Sequence, residues 1–257
     1  MTALHVKSFG SGQPLVMLHG WGMHGGIWGR ATEQLAQHCR VYCVDLPGHG
    51  ESAGLAHYNL EAIVEGLTAY FSEPVNLCGW SLGGQVALRW AQLHPAQINK
   101  LVLVATTPRF VQCDGWDCAM AEQTLREFSA ALLENCTLTL KRFAALQVRG
   151  SEHEREILAE LRGQLFSRGE PDRAALRGGL EILRDTDMRA QLEKISQAAL
   201  VITGECDTLT PHAASAYLAQ ALPNARLAEI KGAAHVPFLS HADSFVKHVT
   251  EFMNERI

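Results

Sequence analysis

Along most of the chain, short apolar runs alternate with stretches whose apolar positions recur at helical spacing. The runs LHVKSF, PLVMLH, RVYCVD, VNLCG, KLVLVA, ALVIT and ARLAEI predict strands. From the second onward most are continuous in Val, Leu and Ile, the pattern of strands covered on both faces. Helical period falls between them, over about 26–38, 60–71, 82–93, 211–221 and 241–255. Such alternation predicts an α/β fold built on a mostly parallel, doubly wound sheet. It breaks between Pro108 and Arg189, where AEQTLREFSAALLE, TLTLKRFAALQVRG, SEHEREILAELRGQLF and DRAALRGGLEILRD read as helices. The expected organisation is a core of 1–108 and 190–257, with 109–189 inserted as a helical cap over the carboxyl edge of the sheet.

Composition narrows the partners. In a chain of 257 residues, 47% apolar and 19% charged content is that of an ordinary globular protein with a sizeable core. A net charge of −5, with no run of Lys and Arg, argues against nucleic acid. No stretch approaches the roughly 18 apolar residues of a membrane span, and MTALHVKSFGSG lacks a secretion-signal pattern. The cysteines at 39, 43, 78, 113, 118, 136 and 206 are odd in number, have no framework spacing and read as reduced thiols, several of them buried. The histidines form no metal-ligand spacing such as His-x-x-x-His, so no metal is expected. A cytoplasmic monomer is the expectation.

Chemistry concentrates first at Gly79-Trp80-Ser81-Leu82-Gly83, between a predicted strand and a predicted helix. A serine on a strained strand-to-helix turn needs neighbours two residues away without side chains, and the helix directs N–H groups at the site. The plain alternative is a tight turn with an incidental serine. A serine hydroxyl needs a base, and the base an orienting acid. Asp207 and His235 each lie just beyond a predicted strand, where an open α/β sheet places its functional loops, although Asp207 could instead serve as a helix N-terminal residue. The oxyanion of an acyl-transfer intermediate needs two donors. The backbone N–H groups of Leu82, after the serine, and Trp21, in the loop HGWG, fit that need. His19 reads as structural, and DLPGHGES as a shaped turn without chemistry.

Together, LHGWGMHGGIW, VDLPGHGES, GWSLGG and GAAHVPF are similar to the α/β-hydrolase superfamily over nearly all of the chain outside the cap. The cap stretches RFAALQ and GGLEIL followed by TDMR, with HGWG, GWSLGG and AAHVPF, resemble the biotin-pathway carboxylesterases. That resemblance implies hydrolysis of the methyl ester of a pimeloyl chain borne by acyl-carrier protein, with no cofactor. It implies Ser81, Asp207 and His235 as catalytic residues, and Trp21, Phe143, Ala145, Leu146 and Gln147 as substrate-binding residues. Phe143 and Gln147 stand at i and i+4, suited to lining a channel with one polar contact.

A carrier protein is acidic, so arginines on the cap are candidate docking residues: Arg142 with Arg149, and Arg155 with Arg162, each pair seven apart. The alternative is a solvated helix in which Glu152, Glu154, Glu156 and Glu160 pair locally. Leu138 stands where the resemblance places a basic residue. A short-chain esterase, a carbon–carbon hydrolase and a ligand receptor remain the competing readings on the same fold.

Overall fold

The computed structural model describes residues 3–255. Seven strands form one sheet in the order β1-β3-β2-β4-β5-β6-β7. They are β1 (Val6–Phe9), β2 (Pro14–Leu18), β3 (Arg40–Val44), β4 (Val75–Trp80), β5 (Ile98–Val104), β6 (Ala198–Gly204) and β7 (Ala225–Ile230). All pair in parallel except β1, which runs antiparallel to β3 at the edge. Every residue of β4 is buried. Because successive side chains point to opposite faces, burial without alternation means both faces are covered. The edge strands β1 and β7 carry exposed positions instead.

The crossovers are α1 (Gly29–Leu35), α2 (Leu60–Tyr70) and α3 (Leu82–Leu93). Four helices then intervene between β5 and β6: α4 (Glu122–Glu134), α5 (Cys136–Val148), α6 (Glu154–Leu165) and α7 (Arg173–Asp185). The chain closes with α8 (His212–Ala221), the short α9 (Pro237–Ser240) and α10 (Ala242–Asn254). No helix among the described residues is long and apolar enough to cross a membrane.

Two helix boundaries differ from the sequence expectation. The helix expected over 26–38 is a 3-10 turn, Gly25–Trp28, followed by α1. Gly29, which ends the turn and opens α1, has φ 44°, which breaks the helical run. The stretch expected to begin at 241 is preceded by α9, which Pro237 starts at a position that needs no donor. The cysteines are all free; Cys39, Cys43 and Cys78 are buried, and burial raises the thiols of Cys39 and Cys43 to about 11.

Long-range polar contacts tie α6 and the α6–α7 connection to the loops of the sheet. Asp45, fully buried after β3, accepts from the N–H groups of Gly25 (2.7 Å) and Glu51 (3.0 Å). Arg168, in the α6–α7 connection, donates to both of its carboxylate oxygens at 2.9 and 3.0 Å. Burial acts to raise the Asp45 carboxyl, but these donors and neighbouring positive charge outweigh it and keep it below the ordinary range. His24 adds a second tie, its Nε2 lying 2.9 Å from the Gln164 carbonyl.

Candidate active site

Ser81 stands between β4 and α3 with φ 54° and ψ −117°, a conformation L-residues rarely adopt. Tight packing explains its glycines. A β-carbon on Gly79 would overlap the Gly83 carbonyl oxygen, and one on Gly83 would overlap that of Leu18. The amino end of α3 is thus pressed onto the end of β2. Leu82, its first residue, has no intrahelical acceptor for its N–H, because the residue four back lies in the strand.

The loop after β2 closes over this elbow. A β-carbon on Gly20 would lie 3.0 Å from the Trp80 ring and 3.2 Å from Ser81 Cβ. Trp21 follows, buried, and no acceptor for its backbone N–H is found among the described residues. His19 fixes the loop: Leu46 N–H donates to its Nε2 (2.9 Å), so its Nδ1–H donates to the Gly20 carbonyl (2.8 Å). That pattern requires the neutral ring.

Burial is the main reason that the imidazoles of His19 and His49 are lowered, to about 3 and about 4. Their rings lie 5.2 Å apart. In the unfolded chain each titrates near 6.5. From pH 6.5 downward the unfolded chain therefore binds more protons, and stability falls with falling pH. Urea unfolding at pH 7 and pH 4.5 is expected to show a loss on the order of 2 kcal/mol per histidine. His49→Phe should flatten this slope by about one proton; an unchanged slope would contradict the assignment.

His235 and Asp207 meet beyond β7 and β6. His235 Nδ1 lies 2.8 Å from Asp207 Oδ2 in a fully buried pair. Asp207 Oδ1 accepts from Leu209 N–H (2.9 Å) and Thr210 N–H (3.0 Å), and the Thr210 hydroxyl donates to Oδ2 (2.6 Å). Burial acts to raise this carboxyl; the His235 charge and the hydrogen bonds of His235 and Thr210 overcome it and lower it.

The elbow is tied to this pair by Trp80, whose indole N–H donates to the His235 carbonyl (2.8 Å) and whose ring lies 5.7 Å from the imidazole. Phe238 packs on Trp80 at 5.0 Å and on Trp28 at 4.5 Å. Ser81 and His235 thus sit on adjoining, cross-braced loops, although no direct hydrogen bond joins their side chains among the described residues.

Three of the helices between β5 and β6 pack against Trp21. The Trp21 indole N–H donates to the Leu176 carbonyl of α7 (2.8 Å), and its ring meets Phe128 of α4 (5.4 Å) and Phe143 of α5 (5.2 Å) edge-on. A β-carbon on Gly179 would stand 2.6 Å from the Trp21 ring, so GGLEIL marks a close approach of α7 to this loop. Gln147 is fully buried, and its carbonyl accepts from His235 N–H (3.0 Å). Its side-chain oxygen and nitrogen both lack partners among the described residues. Ala145 is half-buried, and Leu146 is 38% exposed.

Arg142, Arg155 and Arg162 are exposed on α5 and α6; Arg149 is exposed too, but caps α5 rather than continuing its face. None of the four makes an ion pair among the described residues. Their acidic neighbours look elsewhere: Glu152 faces His241 and Glu156 faces His153, both at 3.7 Å. Sequence reasoning missed Thr210, Trp80 and Phe128 as parts of the site. Thr210 was open to detection, since Asp-x-x-Thr lets a hydroxyl fold back on the carboxylate three residues earlier.

Residues 13–242 match the model of the alpha/beta hydrolase fold family, and the chain belongs to that family. Among relatives, the pimeloyl-[acyl-carrier protein] methyl ester esterase of Nitrosomonas europaea is 43% identical, over 96% of this chain and 98% of its own. The protein of the same name from Nitrosospira multiformis is 40% identical, over 97% of this chain and 98% of its own. Among solved structures, an esterase from Exiguobacterium antarcticum superimposes with a TM-score of 0.92 at 24% identity, covering 99% of this chain and 96% of that one.

Proposed function

We propose that the chain is a serine carboxylesterase that hydrolyses the methyl ester at the far end of a pimeloyl chain borne by acyl-carrier protein, a step of biotin biosynthesis. The single observation that carries the substrate is end-to-end likeness to relatives named for that reaction, at 40% and 43% identity. The ester chemistry is supported by the strained Ser81 elbow braced against the buried His235–Asp207 pair.

In this reading Ser81 Oγ attacks the ester carbonyl while His235 Nε2 takes its proton. Asp207 holds Nδ1–H, and so fixes the tautomer in which Nε2 is free to accept. The N–H groups of Trp21 and Leu82 receive the oxyanion. Collapse passes the proton to the leaving methoxide, and methanol departs. His235 then draws a proton from water, which attacks the acyl-enzyme and frees the carboxylate. No cofactor takes part.

Residues 109–189 act as a cap over this centre. The acyl chain runs past Trp21 and Phe143, and the unpartnered Gln147 amide supplies its polar contact; Ala145 and the exposed Leu146 lie on other faces of α5. Arg142, Arg149, Arg155 and Arg162 receive the acidic carrier protein. For the double substitution Arg142→Glu/Arg155→Glu, kcat/KM on the carrier-bound ester is expected to fall by about tenfold or more at low salt. Activity on a p-nitrophenyl ester should hold, and high salt should narrow the difference. Equal activity of the double variant on the carrier-bound ester would move docking elsewhere. Faster, salt-indifferent turnover of the small ester by the native enzyme would make this a general short-chain esterase.

A further inference from the structure

Between α4 and α7, on the outer side of the helices that cover Trp21, lies a groove of about 380 Å³. That volume falls within the roughly 300–1,000 Å³ of small-ligand pockets. Leu132, Leu133, Leu176 and Leu180 make its walls, and Leu133 is left 71% exposed at the lip. The one hydroxyl in the wall, Ser129, is already spent on the Leu125 carbonyl (2.8 Å), so the interior offers little to a polar ligand.

The border is cationic, in a chain whose net charge is −5. Arg173, Arg177 and Arg184 line the groove, with Glu181 as the one acid among its lining residues. Spaced four and then seven residues apart on α7, they fall within about 40° on one helix face. The acids nearby only partly answer them. Arg177 faces Glu181 at 3.9 Å, Arg184 holds Asp185 at 2.7 Å, and Arg173 has no ion-pair partner among the described residues.

We propose that this groove binds a single-chain fatty carboxylate, the chain between the leucines and the carboxylate on Arg173 and Arg177. The leucine walls suit a single alkyl chain laid along the groove. Charge selects an anionic head, and guanidinium forks suit a carboxylate. The groove shares only Leu176, whose carbonyl holds Trp21, with the ester site, and the proposal stands whether or not the ester reading holds.

Calorimetric titration of the full chain with sodium decanoate and with decyltrimethylammonium bromide tests it, since the two share a chain and differ in head charge. Decanoate is expected to bind at least tenfold more tightly than the cation. Ala130→Trp, which fills the groove from α4, should abolish binding, and Arg173→Glu should weaken it at least fivefold. Hydrolysis of p-nitrophenyl acetate should be unchanged in both variants. Equal affinity for the two amphiphiles, no decanoate binding, or binding that survives Ala130→Trp would overturn the proposal. So would concentration-dependent dimerisation that Ala130→Trp abolishes, because a second copy would then cover the groove.

Discussion

Ser81→Ala is expected to lower kcat on the carrier-bound methyl ester by about 10⁶-fold, leaving only what binding and the oxyanion donors contribute. The fold should be unaffected, because alanine keeps the β-carbon that the elbow already accommodates. Backbone strain gives an independent check on the same residue. A non-glycine residue at φ 54° and ψ −117° costs of order 1–3 kcal/mol, against about 0.5–1 kcal/mol for the extra freedom glycine loses on folding. Ser81→Gly should therefore be as inactive as Ser81→Ala, yet melt at a higher temperature. Parallel rate assays and thermal melts on the two variants check both halves. A loss of rate below about 100-fold would remove Ser81 from the nucleophile's role.

Asp207→Asn is the second large effect, about 10⁴-fold in kcat, and it follows from the direction of hydrogen bonds. Oδ1 accepts from two backbone N–H groups, those of Leu209 and Thr210, so an asparagine must leave its carbonyl oxygen there. Its NH₂ then takes the place of Oδ2, facing His235 Nδ1 and the Thr210 hydroxyl. An NH₂ can only donate to Nδ1. The imidazole proton is forced onto Nε2, and the ring can no longer accept the proton of Ser81. Asparagine keeps the size of the side chain and the loop's backbone bonds, so urea unfolding should show far less loss than the rate does. Retention of kcat within about tenfold would contradict the orienting role of Asp207.

Local chemistry makes much of this legible in the sequence. The Ser81 elbow is written into neighbouring residues, since a strand, two spaced glycines and a helix specify one another at short range. Asp207 and His235 were legible from their places just past strand ends. Less visible was anything joining residues far apart in sequence. The Arg168–Asp45 pair spans 123 positions, and Asp45 lay in a turn that the sequence marked only by its glycines and proline. Sequence pattern places Arg109 to Met120 in a helical insertion; the segment instead holds isolated bridges, including Arg109–Asp187 and Val111–Met120, which helical period cannot reveal. Its spacing to Phe143 marks Gln147 as one polar contact. Its carbonyl on His235, and an amide buried without partners, depend on how α5 crosses the His235 loop.

In the proposed function this chain cleaves the distal methyl ester of a carrier-bound pimeloyl chain through Ser81. The most direct test is the intact mass of pimeloyl-[acyl-carrier protein] methyl ester after incubation with native and Ser81→Ala enzyme. The native enzyme is expected to remove one methylene's mass, with the thioester to the carrier intact, and Ser81→Ala to leave the substrate unchanged. Release of the carrier from its acyl chain, an unchanged mass with the native enzyme, or demethylation by Ser81→Ala would contradict it.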